Sequence, residues 1–209
     1  KVTLSWYLRE MINDNIIFKL GRGIYTAHKV QTSEYTPRLR TKAVKVGKII
    51  ARKFPFVSVC VLDGQVFADF QHHISSNNII YVEVDRDAME SVFHSLKQEG
   101  YTAYLNPSKD FVYDNIDLSK EGVIVKPLIS ESPLMDFKGV RTPHLEKILV
   151  DIYCDDDLDY LHGSEWSRMF DNALSMYSVN RTAMLRYASR RNAKPAIEKA
   201  IENLGTHND

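Results

Sequence analysis

Gly21-Arg22-Gly23 sets a cation at the tip of a tight reversal, between an apolar run at residues 16–20 and the apolar pair Ile24-Tyr25. The two glycines permit positive φ, and an arginine between them projects with no neighbour to crowd it. Phosphate oxygens and a narrow minor groove are the chemistry that rewards a cation placed there. The segment before it carries the same chemistry. In TLSWYLREMIND (3–14), Leu4, Leu8, Met11 and Ile12 fall at i, i+4, i+7 and i+8, one apolar helical stripe, and the other face shows Thr3, Ser5, Trp6, Arg9 and Asn13. The first turns of such a helix enter the major groove in helix-turn-helix docking, which selects Thr3, Ser5 and Trp6. Arg9 has the planar fork for a guanine edge or a phosphate, and Lys19 and Arg22 complete the set of candidate DNA contacts. Two other readings stay open: Arg22 as an exposed turn residue kept for solubility, and Trp6 as packing on another helix of the same module.

A second basic group lies far along the chain. Arg186 and Arg190, four apart, share a helix face and form with Arg191 a patch in an otherwise acidic half. These arginines either pair with Asp155, Asp156, Asp157 or Asp159, or present a contact surface to nucleic acid or a protein partner. Asp151, four residues after Lys147, allows an i,i+4 pair worth a few tenths of a kcal/mol.

Catalytic patterns fail on order or spacing. A nucleotidyltransferase places Gly-Ser before an Asp-x-Asp; here Gly163-Ser164 follows Asp157 and Asp159. A restriction-type nuclease needs a lysine that Glu83-Val84-Asp85 lacks. His72 and His73 diverge by about 100° on a helix and make a poor metal pair. No cysteine–histidine spacing suits zinc and no glycine-rich loop suits a phosphate. No catalytic residue, metal or cofactor is expected. A metal-dependent nuclease is the alternative, and it requires the fold to gather Asp63, Asp69, Glu83 and Asp85.

These residues need elements to hold them. The helix at 3–14 and strands on either side of Gly21–Gly23 read as the closing half of a winged helix, whose first two helices would have to precede Lys1. Residues 26–37 read as a linker and 38–53 as a basic helix weakened by Gly47. Strand-prone FVSVCV (56–61), IIYVEV (79–84), YTAYL (101–105) and VIVKPLI (123–129) alternate with helical patterns at 66–74 and 87–98. That alternation argues for an α/β layer with parallel pairing. Residues 110–117 have no clear pattern. After Pro143 the periodicity is helical throughout, with Ser164 as an N-cap and Pro195 opening the last helix. The expected architecture is a partial winged helix over 1–27, then a mixed α/β layer with a C-terminal helical bundle over 28–209.

Composition limits the class. The chain has 209 residues, 44% hydrophobic, enough for a core, and no apolar run long enough to span a membrane. Cys60 and Cys154 are too few for a disulfide framework, which points to reduced thiols in the cytoplasm. The net charge is zero, but residues 1–53 carry twelve Lys+Arg against three Asp+Glu. An imbalance of that kind points to a polyanion partner for the N-terminal part.

The chain also resembles a known family. TLSWYLREM followed by GRGIY is similar to the winged helix of AbiEi-type antitoxins. TPHLEKILVDIYCDD, YSVN (177–180) and LRYASRR (185–191) are similar to that family's second half. The resemblance implies a DNA-binding autorepressor and antitoxin of a phage-defence toxin–antitoxin pair. Its partners would be double-stranded operator DNA, bound by a dimer on inverted repeats, and a nucleotidyltransferase-like toxin opposed without a stable complex. A stand-alone DNA-binding regulator is the rival within the same class.

Overall fold

The structure is a computed structural model and describes residues 4–14, 16–21, 24–27, 32–71 and 77–203. It opens with α1 (Leu4–Asn13) and an antiparallel pair, β1 (Phe18–Gly21) and β2 (Ile24–Thr26). The backbone N–H groups of Ile16 and Ile17 donate to the carbonyl of Met11 and close the end of α1.

The body follows as α2 (Thr41–Lys53), β3 (Val59–Asp63), a 3-10 turn (Gly64–Asp69) and β4 (Ile79–Val84). Next come α3 (Met89–Gln98), β5 (Ala103–Leu105), α4 (Lys109–Asn115) and β6 (Gly122–Pro127). These strands make a sheet in the order β3-β4-β6-β5; β3 runs antiparallel to β4, and the other pairs are parallel. The sheet is covered on both sides, so all six residues of β4 are buried and the strand reads as a continuous apolar run. Ile80, Val82, Val84, Val123 and Val125 pack with α2 and α3 on one face. Ile79, Tyr81 and Ile124 belong to the core on the other face. That second core is closed by α4, α5 (Leu145–Cys154), a 3-10 turn (Asp156–Leu161), α6 (Ser164–Met176), α7 (Arg181–Arg190) and α8 (Lys194–Asn203). The mixed α/β layer and C-terminal helices are therefore present. No helix among the described residues is long and apolar enough to cross a membrane.

Several local expectations change. A hairpin of β7 (Leu134–Phe137) and β8 (Val140–Pro143) joins the sheet to α5. Its two-residue turn, Lys138-Gly139, has φ of 53° and 74°, the mirror-image turn that suits strand twist. Gly47 is not a weak point of α2 but a close approach: a Cβ there would lie 2.4 Å from Val140 Cγ1. Residues 110–117 are mostly helix because the Ser108 side chain accepts from the Phe111 N–H and starts α4. Val66 and Phe67 lie in the tighter 3-10 turn, while Ile74 falls outside the described residues. Ser164 is the first helical residue and not a cap; Gly163, at φ 69°, precedes it. Likewise α8 starts one residue before Pro195. The end of the expected linker is strapped to the body. Ser33 N–H donates to the Met176 carbonyl (3.0 Å), Ser178 N–H donates to that of Ser33 (2.9 Å), and the Tyr35 ring meets Phe70 and Tyr177.

Candidate functional site

The expected DNA contacts start on α1. Trp6 is 46% exposed, its ring edge-on to Tyr7 at 5.3 Å, and Arg9 is exposed. Leu8, Met11 and Ile12 are half-buried, but Leu4, placed in the same inward stripe, is 75% exposed. Thr3 and Arg22 lie outside the described residues, as do the side chains of Ser5 and Lys19. Only four of the twelve cations in residues 1–53 precede residue 28, and seven fall between 38 and 53. Four of those seven are paired: Arg38 with Asp69 (2.9 Å), Arg40 with Asp63 (2.8 Å), Lys53 with Glu99 (2.6 Å), and Lys42 with Glu121. The cationic excess thus belongs mostly to α2 and its approach, not to the helix and hairpin before it.

The carboxylates of the nuclease alternative do not gather. Asp63 and Glu83 sit near opposite ends of the β3–β4 pair, since Asp63 faces Ile80 while Glu83 faces Cys60. Asp63 binds Arg40 and accepts from the Gln65 N–H, Asp69 binds Arg38, and Asp85 accepts from the Ser58 N–H at 2.7 Å. Among the described residues no cluster of three or more His, Cys, Asp or Glu could hold a metal ion.

What the fold does assemble is a buried ion network between the sheet and α5. Glu83 on β4 and Lys126 on β6 are register partners and stand side by side. Above them, all eight residues from Leu145 to Ile152 are buried. Lys147 Nζ lies 2.8 Å from Glu83, also pairs with Asp151, and sits 5.4 Å from the centre of the Tyr187 ring. Lys126 Nζ binds Asp155 at 2.5 Å and Asp157 at 2.9 Å. Arg191 bridges Asp151 (3.3 Å) and Asp155, and the Tyr187 hydroxyl donates to Asp151 at 2.7 Å. Burial works against the charges on Lys126, Lys147 and Arg191, yet the surrounding carboxylates outweigh it and hold all three cations above their usual range. Burial also opposes the charge on Asp155, but Lys126 and Arg191 hold its carboxyl well below the ordinary value. Burial dominates at Glu83 and at Asp157 and pushes both up.

The network decides between the two readings of the C-terminal arginines. Arg191 takes the paired alternative, binding Asp155 as well as Asp151; its side chain is 14% exposed and it turns inward just beyond α7, away from any exposed patch. Arg186 and Arg190 do share an exposed face, but neither reaches the aspartates at 155–159. Both approach Glu131, at 3.6 and 3.7 Å, and Arg190 also donates to the Ser130 hydroxyl. The Lys147–Asp151 pair is a deeply buried link and not a surface pair. The sign available in the sequence is Val150, an apolar residue on the side of α5 opposite the Leu145/Ile148/Leu149/Ile152 stripe, between Glu146 and Lys147. The segments LEKILVD (145–151) and YSVN (177–180) meet here too: Asn180 caps α7 by accepting from the Ala183 N–H, and its own N–H donates to Glu146 at 2.6 Å. Both cysteines are free, and Cys60, buried beside Glu83, has its thiol pushed well up by burial.

Residues 3–207 match the family described as a family of unknown function (DUF6577), so the chain belongs to that family. No curated protein matches it.

Proposed function

We propose that this DUF6577 chain is a DNA-binding autorepressor and antitoxin. In this reading α1 and the β1–β2 hairpin are the helix and wing of a winged-helix module. Thr3, Ser5, Trp6, Arg9, Lys19 and Arg22 face operator DNA, with two copies on an inverted repeat. The body opposes a nucleotidyltransferase-like toxin in the cytoplasm without a stable complex, and the exposed Arg186–Arg190 face of α7 is the surface through which it acts, on nucleic acid or a protein partner. The observation that carries the reading is the order of a short helix with an exposed Trp6–Arg9 face followed by a tight antiparallel hairpin. Binding of this kind needs no turnover: cations displace counterions from phosphates and the helix reads base edges.

The test is a salt-dependent shift assay of the full chain on its own upstream DNA. Arg9→Ala should weaken operator binding by about 1–3 kcal/mol if Arg9 reads a base. Indifference to that DNA at low salt would remove the reading. The antitoxin half is tested by growth rescue: Arg186→Glu with Arg190→Glu should fold normally and protect poorly against the co-encoded toxin. A stand-alone regulator would bind the operator and give no protection in either form.

A further inference from the structure

The solvent side of α2 carries a feature that the winged-helix reading does not use. Lys45, Lys48 and Arg52 recur at i, i+3 and i+7, which keeps them within about 60° of one another on the helix. All three are exposed, and among the described residues none has an ion-pair partner. The β7–β8 turn adds a fourth cation. Gly47 is held against Val140, and Lys48 Cε lies 3.8 Å from where a Gly139 Cβ would stand, so the turn sits beside the middle of the stripe. The turn places exposed Lys138 at φ 53°, a conformation that Asn, Asp or Gly adopts more readily. Asp136 does not neutralise this face: it is the register partner of Arg141, on the side of the hairpin away from Val140 and α2. Just past the last turn of α2, Phe56 is 98% exposed. It covers no core, although its neighbour Phe54 packs inward.

Lys138 lies 5.1 Å from the centre of the Phe137 ring, and Glu99, which Lys53 pairs, is the carboxylate nearest in effect to Lys45 and Arg52. Four cations with no ion-pair partner among the described residues and a bare phenyl ring are the two parts of a single-stranded nucleic-acid site. Cations follow the phosphates, and an aromatic ring stacks on a base whose face is open. A duplex keeps its base faces inside the stack, so a fully exposed ring gains little from one, whereas an unpaired strand can offer a base to it. We propose that this α2 face binds single-stranded nucleic acid, with Lys45, Lys48, Arg52 and Lys138 on phosphates and Phe56 stacked on a base. The site is separate from the α1 face and stands whether or not α1 binds operator DNA.

Fluorescence anisotropy of labelled oligo-dT and oligo-U against the full chain tests it, with a duplex of random sequence as the comparison. Phe56→Ala should raise the Kd for the single strands about 5- to 100-fold. It should leave the salt slope and the duplex affinity unchanged, and with Phe56 fully exposed the melting temperature should stay put. Lys45→Ala/Lys48→Ala/Arg52→Ala should lower the slope of log K against log salt by about 2. The proposal is overturned if the wild-type chain ignores both single strands at low salt. It is overturned equally if Phe56→Ala binds them as tightly as wild type does. Capture of the chain by anionic phospholipid vesicles through Phe56, with no strand binding, would overturn it in favour of a membrane surface. Arg9→Ala should affect operator binding alone, which separates failure here from failure of the winged-helix reading.

Discussion

At the scale of single residues, Lys147 is the most consequential group. It is almost wholly buried and is shared by Glu83 and Asp151. Replacing one member of a buried ion pair leaves an uncompensated charge, which costs about 3–5 kcal/mol. Lys147→Met should destabilise by about that much in urea unfolding, and the deficit should depend on pH. Burial already holds the Glu83 carboxyl above its usual range, and losing the ammonium pushes it further. A folded-state value above the unfolded one destabilises where the carboxylate is charged and is relieved as the proton returns. The deficit should therefore shrink on mild acidification; a deficit that stays constant between neutral and acidic buffer would contradict the pairing. Asp155 has the opposite sign. Its folded value is depressed below the ordinary 3.8, so its contribution is full above that value and disappears as the pH falls through the lower one. Asp155→Asn should lose that acid limb of the stability curve while costing about 3–5 kcal/mol at neutral pH, because Lys126 and Arg191 keep their charge without it.

At the scale of elements, Gly47 shows how α2 is fixed. Alanine favours a helix over glycine by about 1 kcal/mol, so by propensity alone Gly47→Ala should stabilise. The added methyl would meet Val140 Cγ1 at 2.4 Å, and overpacking of that kind costs about 1–3 kcal/mol. The expected outcome is net destabilisation, measured by thermal melting, with recovery in Gly47→Ala/Val140→Ala because the clashing methyls are gone. A gain in the single variant would mean that the hairpin yields easily. The same position marks where the sequence is readable. The strands at 79–84 and 122–127 and helix α3 are legible because burial on both faces or on one stripe leaves an apolar run or a 3.6 period. The β7–β8 hairpin is not, since Leu134-Met135-Asp136-Phe137 is short and half-buried and its turn uses lysine where asparagine is usual. The sequence leaves Arg191 open between a surface patch and a pairing with the aspartates for a related reason. Helical spacing says which side chains share a face, but Arg191 sits at the C-cap, where the chain leaves the helix and that spacing stops applying. The fold of the body is thus largely legible, whereas the ion network is not, because i,i+4 spacing between Lys147 and Asp151 is the same on a surface as in a core.

At the scale of the whole molecule, the sheet has one core on each face, and the two cores depend on the same strands. Ile80 and Val82 belong to one, Ile79 and Tyr81 to the other, on consecutive residues of β4. Neither set of helices can leave without exposing a face of that sheet. The ion network ties β4 and β6 to α5 and, through Arg191 and Tyr187, to α7. A body coupled in this way should unfold in a single cooperative step. The two tryptophans make this measurable: Trp6 is 46% exposed, while Trp166 is buried in the helical core and donates its ring N–H to the Leu149 carbonyl. The fluorescence change on unfolding therefore follows Trp166, and far-UV circular dichroism follows all the helices, including α2 and α3 on the opposite face. The two urea transitions should coincide in the wild type and move together in Lys147→Met, even though the residue replaced lies on only one side of the sheet. A fluorescence midpoint below the dichroism midpoint would show that the helical core separates first, and the network would then be a local fastening of α5 with no hold on the layer beyond the strands.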